Sequence, residues 1–218
     1  MLIVRNHANI VQFKDIFATN EHVYLVMERL DMNLYAFMKK YQNSLTETEI
    51  KLIVAQVSAG LKHCHDNNIM HRDVKPENVL VRLDERHQLV EVKISDFGQG
   101  CKINKNTICS YKFGTKGYMA PEVMHGSIRF DQKVDSWALG VLLFNLVTGK
   151  MPFKGTEKKI RFDCLNKSVP FTDPAWFECS PELTAIAKGL LQRDSSMRYS
   201  MEAVLAQRCL WAQGGSLP

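Results

Sequence analysis

The sequence lacks most of the features that would place a chain in a specialised class. Its longest apolar stretch, WALGVLLFNLV (137–147), is too short to span a bilayer and carries Asn145. The opening MLIV is shorter than the apolar core of a signal peptide and runs straight into Arg5. Six cysteines stand at 64, 101, 109, 164, 179 and 209. None forms a C-x-x-C pair, and no Cys/His cluster has zinc spacing. They read as reduced thiols of an intracellular protein, expected in the cytoplasm with the nucleus left open. The net charge of +5 is spread without a Lys/Arg run or a basic–aromatic stripe. It reads as a solvated basic surface, and nucleic acid and membrane are not expected partners. No internal repeat or low-complexity linker interrupts the chain.

What is present is ordinary globular composition: 218 residues, 45% hydrophobic and 23% charged, enough for a sizeable core. Residues 10–17 and 22–28 read as two strands around the polar turn ATNE. NLYAFMKK (33–40) is a short helix. Thr46 and Glu49 have capping-box spacing at the head of a longer one, along which Ile50, Ile53, Val54, Val57, Leu61 and Cys64 keep helical period until DNN ends it. Strand-like pieces follow at 79–83 and 89–94. Residues 98–121 carry little periodicity and read as a long functional loop. Helical segments then cover 132–147, about 156–166, 182–192 and 201–208. A little β followed by much α gives an α+β chain, with a helical lobe joined to a small sheet.

The chemistry concentrates in IMHRDVKPENVL (69–80), where Asp73, Lys75 and Asn78 share one short turn between apolar anchors that include Leu80. A carboxylate there can orient a hydroxyl and accept its proton. A lysine can neutralise a phosphoryl oxygen, and an amide oxygen can ligate a hard cation such as Mg²⁺. Farther on, the strand VEVKI leads into Asp96–Phe97–Gly98, which leaves a second carboxylate just past a strand end. Such a set suits phosphoryl transfer, where catalysis is positioning plus charge neutralisation.

HRDVKPEN, DFG and GTKGYMAPE (114–122), in that order, resemble the signature set of eukaryotic protein kinases. DSWALG (135–140), TGKMPF (148–153), RDSSMR (193–198) and HANIVQF (7–13) resemble further family motifs, with Ser195 and Ala8 where proline is usual. The resemblance spans about residues 2–211. It implies a protein-kinase-like fold, mainly the helical lobe: residues 1–30 as a remnant of the small lobe with the hinge, 31–211 as the helical lobe, and 212–218 as a tail. It implies ATP and Mg²⁺ as cofactors and a protein as substrate. Lys75, two positions after Asp73, and the GTKGY segment resemble the Ser/Thr branch rather than the Tyr branch. Phosphotransferases of small molecules share the loop but are not expected to share the later motifs.

By the same resemblance Asp73, Lys75 and Thr115 are catalytic, with Thr115 bridging the other two. Asn78 and Asp96 hold metal. Met27, the backbone of Glu28 and Leu30, and Leu80 meet the adenine. Asp135 accepts hydrogen bonds from the catalytic-loop backbone, and Arg198 pairs with Glu122. His71 and Phe97 stack with Phe13 and Leu2. Arg72 holds a phosphate on Thr107, Ser110 or Tyr111. The departure lies at the start. In the family a glycine-rich loop, a strand lysine and a helix glutamate precede the HPNIV-like motif. Here that motif begins at His7, and none of the twelve glycines forms G-x-G-x-x-G. The expectation is a partial Ser/Thr kinase that catalyses poorly alone. The alternative is a pseudokinase-like binding module, with a partner covering the truncated sheet.

Overall fold

The computed structural model describes residues 3–4, 6–41, 45–103, 113–127 and 130–210. It begins with an antiparallel hairpin of β1 (Phe13–Ala18) and β2 (Val23–Met27). In its turn, the Thr19 amide donates to the His22 carbonyl at 2.8 Å. Neither face of the hairpin is covered: Ile16, Phe17, Val23, Tyr24, Leu25, Val26 and Met27 are 37–66% exposed.

The chain then enters the helical body through β3 (Met32–Asn33) and α1 (Leu34–Lys40), where Asn33 Oδ1 caps the Ala36 amide at 2.8 Å. Next comes α2 (Glu47–Asp66). Thr46 accepts from the Glu49 amide, and the Glu49 carboxylate accepts from the Thr46 amide, so two orphan donors are satisfied reciprocally. After β4 (Ile69–Met70), strands β5 (Val79–Leu83) and β6 (Leu89–Ile94) form a hairpin that β3 extends, in the order β3–β5–β6. β7 (Cys101–Lys102) pairs antiparallel with β4. The remaining helices are α3 (Pro121–His125), α4 (Lys133–Thr148), α5 (Glu157–Asn166), α6 (Pro181–Leu190) and α7 (Met201–Leu205). Among the described residues no helix is long and apolar enough to cross a membrane.

Helix α4 is the pillar. It is apolar around nearly its whole circumference, so it is buried on all sides, as such a helix must be. Gly140 lets α6 approach it: a Cβ there would sit 2.8 Å from Leu191 Cγ and 2.9 Å from Leu190 Cβ. One large core joins α1, α2, α4, α6 and the faces of β5 and β6. A smaller cluster of Val4, Ile10, Cys64 and Ile69 takes Phe97 against it.

Several elements differ from the sequence reading. The two-residue strands β3, β4 and β7 are too short to show a period of two, so nothing in the pattern marks them. The loop assigned to 98–121 contains β7 and ends at Pro121, the first residue of α3. The helix read at 182–192 stops at Leu190. That read at 201–208 stops at Leu205, and a separate 3₁₀ turn covers Arg208–Leu210.

Candidate active site

The loop between β4 and β5 is shaped from beneath by a buried carboxylate. Asp135, in the first turn of α4, is fully buried. Its Oδ2 accepts from the His71 amide at 2.9 Å and its Oδ1 from the Arg72 amide at 2.8 Å. A third donor, His65 Nε2 at the end of α2, reaches Oδ2 at 2.9 Å. Burial alone would raise the Asp135 carboxyl, but the hydrogen bond and charge of His65, with the His71 amide, hold it below the ordinary aspartate range. The two backbone bonds also hold Arg72 at φ 68°, a left-handed conformation that a non-glycine residue rarely adopts.

His71 is fully buried and orders the next link. Its Nε2 lies 2.9 Å from the Ser95 carbonyl, which only accepts, so the proton sits on Nε2. Nδ1 then accepts from the Asp73 amide at 3.2 Å. Ser95 in turn donates its amide (2.8 Å) and its hydroxyl (3.0 Å) to the Asn78 carbonyl. The end of β6 is thereby tied to both ends of the loop, one residue before Asp96.

Asp73 is 5% exposed, and four groups converge on its carboxylate. Thr115 donates through its amide (3.1 Å) and its hydroxyl (2.8 Å) to Oδ1. Lys75 Nζ (2.8 Å) and Asn78 Nδ2 (2.9 Å) meet Oδ2. Lys75 also donates to Thr115 Oγ1 at 2.8 Å, so the threonine bridges lysine and carboxylate. Burial works to raise the Asp73 carboxyl. The Lys75 and Thr115 hydrogen bonds, the lysine charge and the Asn78 amide outweigh it and hold the group below the ordinary aspartate range.

Asn78 spends its amide nitrogen on Asp73, at Oδ2 and at the carbonyl (2.8 Å), so its Oδ1 has no partner among the described residues. Asp96 is exposed, in a left-handed conformation, and uses Oδ1 to accept from the Gly98 amide at 3.1 Å. Its Oδ2 is likewise unpartnered. Two hard oxygen donors are therefore available in a place where no three His, Cys, Asp or Glu side chains cluster among the described residues. That donor set fits Mg²⁺, which keeps waters and shares its coordination with phosphate oxygens, better than an all-protein cage.

At the other end of the site Leu30 is buried, Leu80 is half-buried and Met27 is 39% exposed. The Glu28 amide donates to the Gln12 carbonyl at 2.9 Å. The Glu28 carbonyl and the Leu30 amide have no partner among the described residues, which leaves one acceptor and one donor for the edge of a base.

Three more expectations fall on the segment after Asp96. Phe97 meets His71 edge-on at 4.8 Å between centroids and packs against both the main core and the cluster of Val4, Ile10, Cys64 and Ile69. Phe13, on the exposed hairpin, is not in that cluster, and Leu2 lies outside the described residues. Arg72 Nε donates to the Gln99 carbonyl at 2.5 Å, and its guanidinium lies over Phe113 at 5.1 Å. Thr107, Ser110 and Tyr111 lie outside the described residues. Glu122 and Arg198 form a bidentate pair at 2.8 and 2.9 Å. His65 and Ser95 were not legible as site residues. Each acts through long-range contacts, and neither has a local pattern that signals it.

The protein kinase domain family model matches residues 1–210. The chain belongs to the protein kinase family. The kinase domain is 34% identical over 193 residues to serine/threonine-protein kinase AtPK1/AtPK6 of Arabidopsis thaliana, covering 88% of this chain and 39% of that one. It is 31% identical over 209 residues to a probable myosin light chain kinase of Dictyostelium discoideum, covering 95% and 58%. It is also 31% identical over 204 residues to the probable serine/threonine-protein kinase CCRP1 of Zea mays, covering 91% and 31%. The kinase domain thus spans less than two thirds of the length of each of these relatives.

Proposed function

We propose that this kinase domain transfers the γ-phosphoryl group of ATP, with Mg²⁺, to serine and threonine hydroxyls of protein substrates. The observation that carries the reading is the convergence of Lys75, Asn78 and Thr115 on Asp73, with Asp96 following Ser95, which bonds the Asn78 carbonyl. In the step, the substrate oxygen bonds to the γ-phosphorus. The bond from that phosphorus to the β,γ-bridging oxygen breaks with its electron pair going to ADP, and the hydroxyl proton passes to Asp73. An aspartate held below its ordinary pKa is a weak base, so Asp73 mainly orients the hydroxyl and takes the proton late. Lys75 faces the transferring group, while Asn78 Oδ1 and Asp96 would hold Mg²⁺, which neutralises phosphate charge when bound. The preference for Ser/Thr over Tyr rests on the Lys75–Thr115–Asp73 bridge and on the names of the relatives. We assign residues 1–30 to small lobe and hinge, 31–211 to the helical lobe and 212–218 to a tail.

Incubation with labelled Mg·ATP and a mixed Ser/Thr/Tyr peptide pool, followed by phosphoamino-acid analysis, tests the reading. Phosphotyrosine as the main product, or label that persists in Asp73→Asn, would overturn it.

A second reading, a binding or regulatory module, is favoured by one observation: the β1–β2 hairpin exposes apolar side chains on both faces. A partner that covers those faces would protect the β2 amides from exchange. Unchanged exchange in every complex tested would remove this reading.

A further inference from the structure

The charged cluster behind the hinge has no place in the site as described so far. Glu28 follows β2, and its carboxylate turns back toward the helical body. Its Oε1 accepts from Lys93 Nζ at 2.7 Å and from the Gln12 amide at 2.7 Å. Arg82 Nη2 lies 3.6 Å from Oε2. Glu91 closes the ring, 2.7 Å from Arg82 Nε and 3.3 Å from Lys93 Nζ. Two carboxylates and two cations thus alternate. Lys93 is 9% exposed, on the face of β6 opposite the buried Val92 and Ile94. Almost nothing in a strand of this kind asks for a buried lysine except the partner it meets, since a buried ammonium without a partner is costly.

The position of Lys93 gives the cluster its meaning. Three consecutive residues, Lys93, Ile94 and Ser95, tie β6 and its extension to other parts of the site, and Asp96 follows directly. Lys93 holds the Glu28 carboxylate at the hinge. Ile94 bonds the segment before β1 through the Asn9 carbonyl and the Val11 amide, both at 2.9 Å. Ser95 binds His71 and Asn78 of the catalytic loop. Asp96 is the exposed carboxylate at the phosphate end. The adenine end and the metal end of the site are therefore registered on a single short strut.

We infer that Lys93, with Arg82 and Glu91, is a positioning group for nucleotide binding: it fixes the Glu28 carboxylate so that the Glu28 carbonyl and the Leu30 amide present to the base at a set distance from Asp96. The inference rests on the nucleotide reading above. Lys93 touches no substrate and acts through Glu28. The Gln12 amide is the built-in reporter, because it donates to the same Oε1 that Lys93 holds.

The test compares wild type, Lys93→Met, Lys93→Arg and Glu28→Gln in the 218-residue chain, by Mg·ADP titration and by amide exchange. Lys93→Met is expected to weaken ADP about tenfold, equivalent to about 1.4 kcal/mol, and to speed exchange at the Gln12 and Glu28 amides. The amides of α2 and α4 should stay unchanged. Lys93→Arg, which keeps the charge, should restore most of both. Equal ADP affinity in wild type and Lys93→Met would overturn the inference while leaving the nucleotide site standing. If wild type itself fails to bind ADP, the nucleotide reading fails. The exchange arm still decides the clamp, because unchanged exchange at Gln12 and Glu28 would overturn it. A loss of protection spread over α2 and α4 would show a general stability effect and also count against it.

Discussion

Replacing Arg198 with methionine should unfold the helical body more readily than any surface change of equal size. The guanidinium has five N–H groups, and all five are used. Nε donates to the Gln192 carbonyl at 2.8 Å. One terminal nitrogen serves Glu122 Oε1 and the Lys133 carbonyl, each at 2.8 Å. The other serves Glu122 Oε2 at 2.9 Å and the Arg193 carbonyl at 3.2 Å. The plane also stacks over Trp137 at 5.2 Å. Methionine fills much of the stem volume but leaves one carboxylate and three carbonyls without their donor. Breaking a buried pair by removing one partner costs roughly 3–5 kcal/mol. The Glu122 side chain is 20% exposed, so water recovers part of that, and about 3 kcal/mol is the reasoned figure. For a chain of this size each kcal/mol lowers Tm by roughly 2–4 °C, so a fall of about 6–12 °C is expected in a calorimetric or circular-dichroism melt. Arg198→Lys should recover less than half of it, because one ammonium cannot reproduce a five-donor fork. A fall below about 2 °C for the methionine variant, or full recovery by lysine, would refute the assignment of Arg198 as the tie between α3 and the loop after α6.

Two further outcomes follow from the paired carboxylates. Asp73, Asp135 and Glu28 all titrate below their ordinary values in the folded chain, 3.8 for aspartate and 4.5 for glutamate. As pH falls the unfolded chain therefore takes up protons first. Tm should hold a plateau above about pH 5 and drop as pH passes below 4.5 and then 3.8; a Tm that rises on acidification through that window would contradict the pairing of these carboxylates. Asp135→Asn should lower stability by about 2 kcal/mol, because one of its three donors then faces an amide NH₂ in a buried place. It should also shift the amide resonances of His71 and Arg72, and unchanged resonances there would contradict the Asp135 anchor.

Much of this site was legible because catalysis of this kind needs specific atoms at short sequence separation. Asp73, Lys75 and Asn78 lie within six positions, and Asp96–Phe97–Gly98 follows a readable strand. The long helices were legible for a different reason: the capping box at Thr46, the apolar period of α2 and the continuous apolar run of α4 are local signals that tertiary packing reinforces. Strands β3, β4 and β7 were hidden because two residues carry no period, and their pairing is set by chain segments far away. His65, Ser95 and the Glu28–Lys93 clamp were hidden for the same reason. A histidine, a serine and a lysine gain their meaning only when the fold brings a distant acceptor to within about 3 Å. Phe13 is the converse case: the family resemblance implied a stack with His71 and Phe97, but half-buried Phe13 is not among the residues that pack with Phe97 beside Val4, Ile10, Cys64 and Ile69.

The central claim is that Asp73 sits at the centre of a phosphoryl-transfer site. Transfer of labelled γ-phosphate from Mg·ATP to a Ser/Thr peptide, measured in parallel for wild type and Asp73→Asn, tests it most directly. Wild type should form phosphoserine or phosphothreonine in a Mg²⁺-dependent reaction that disappears in Asp73→Asn with the fold intact. Transfer at the same rate in both proteins, or none from wild type at saturating Mg·ATP, would contradict it.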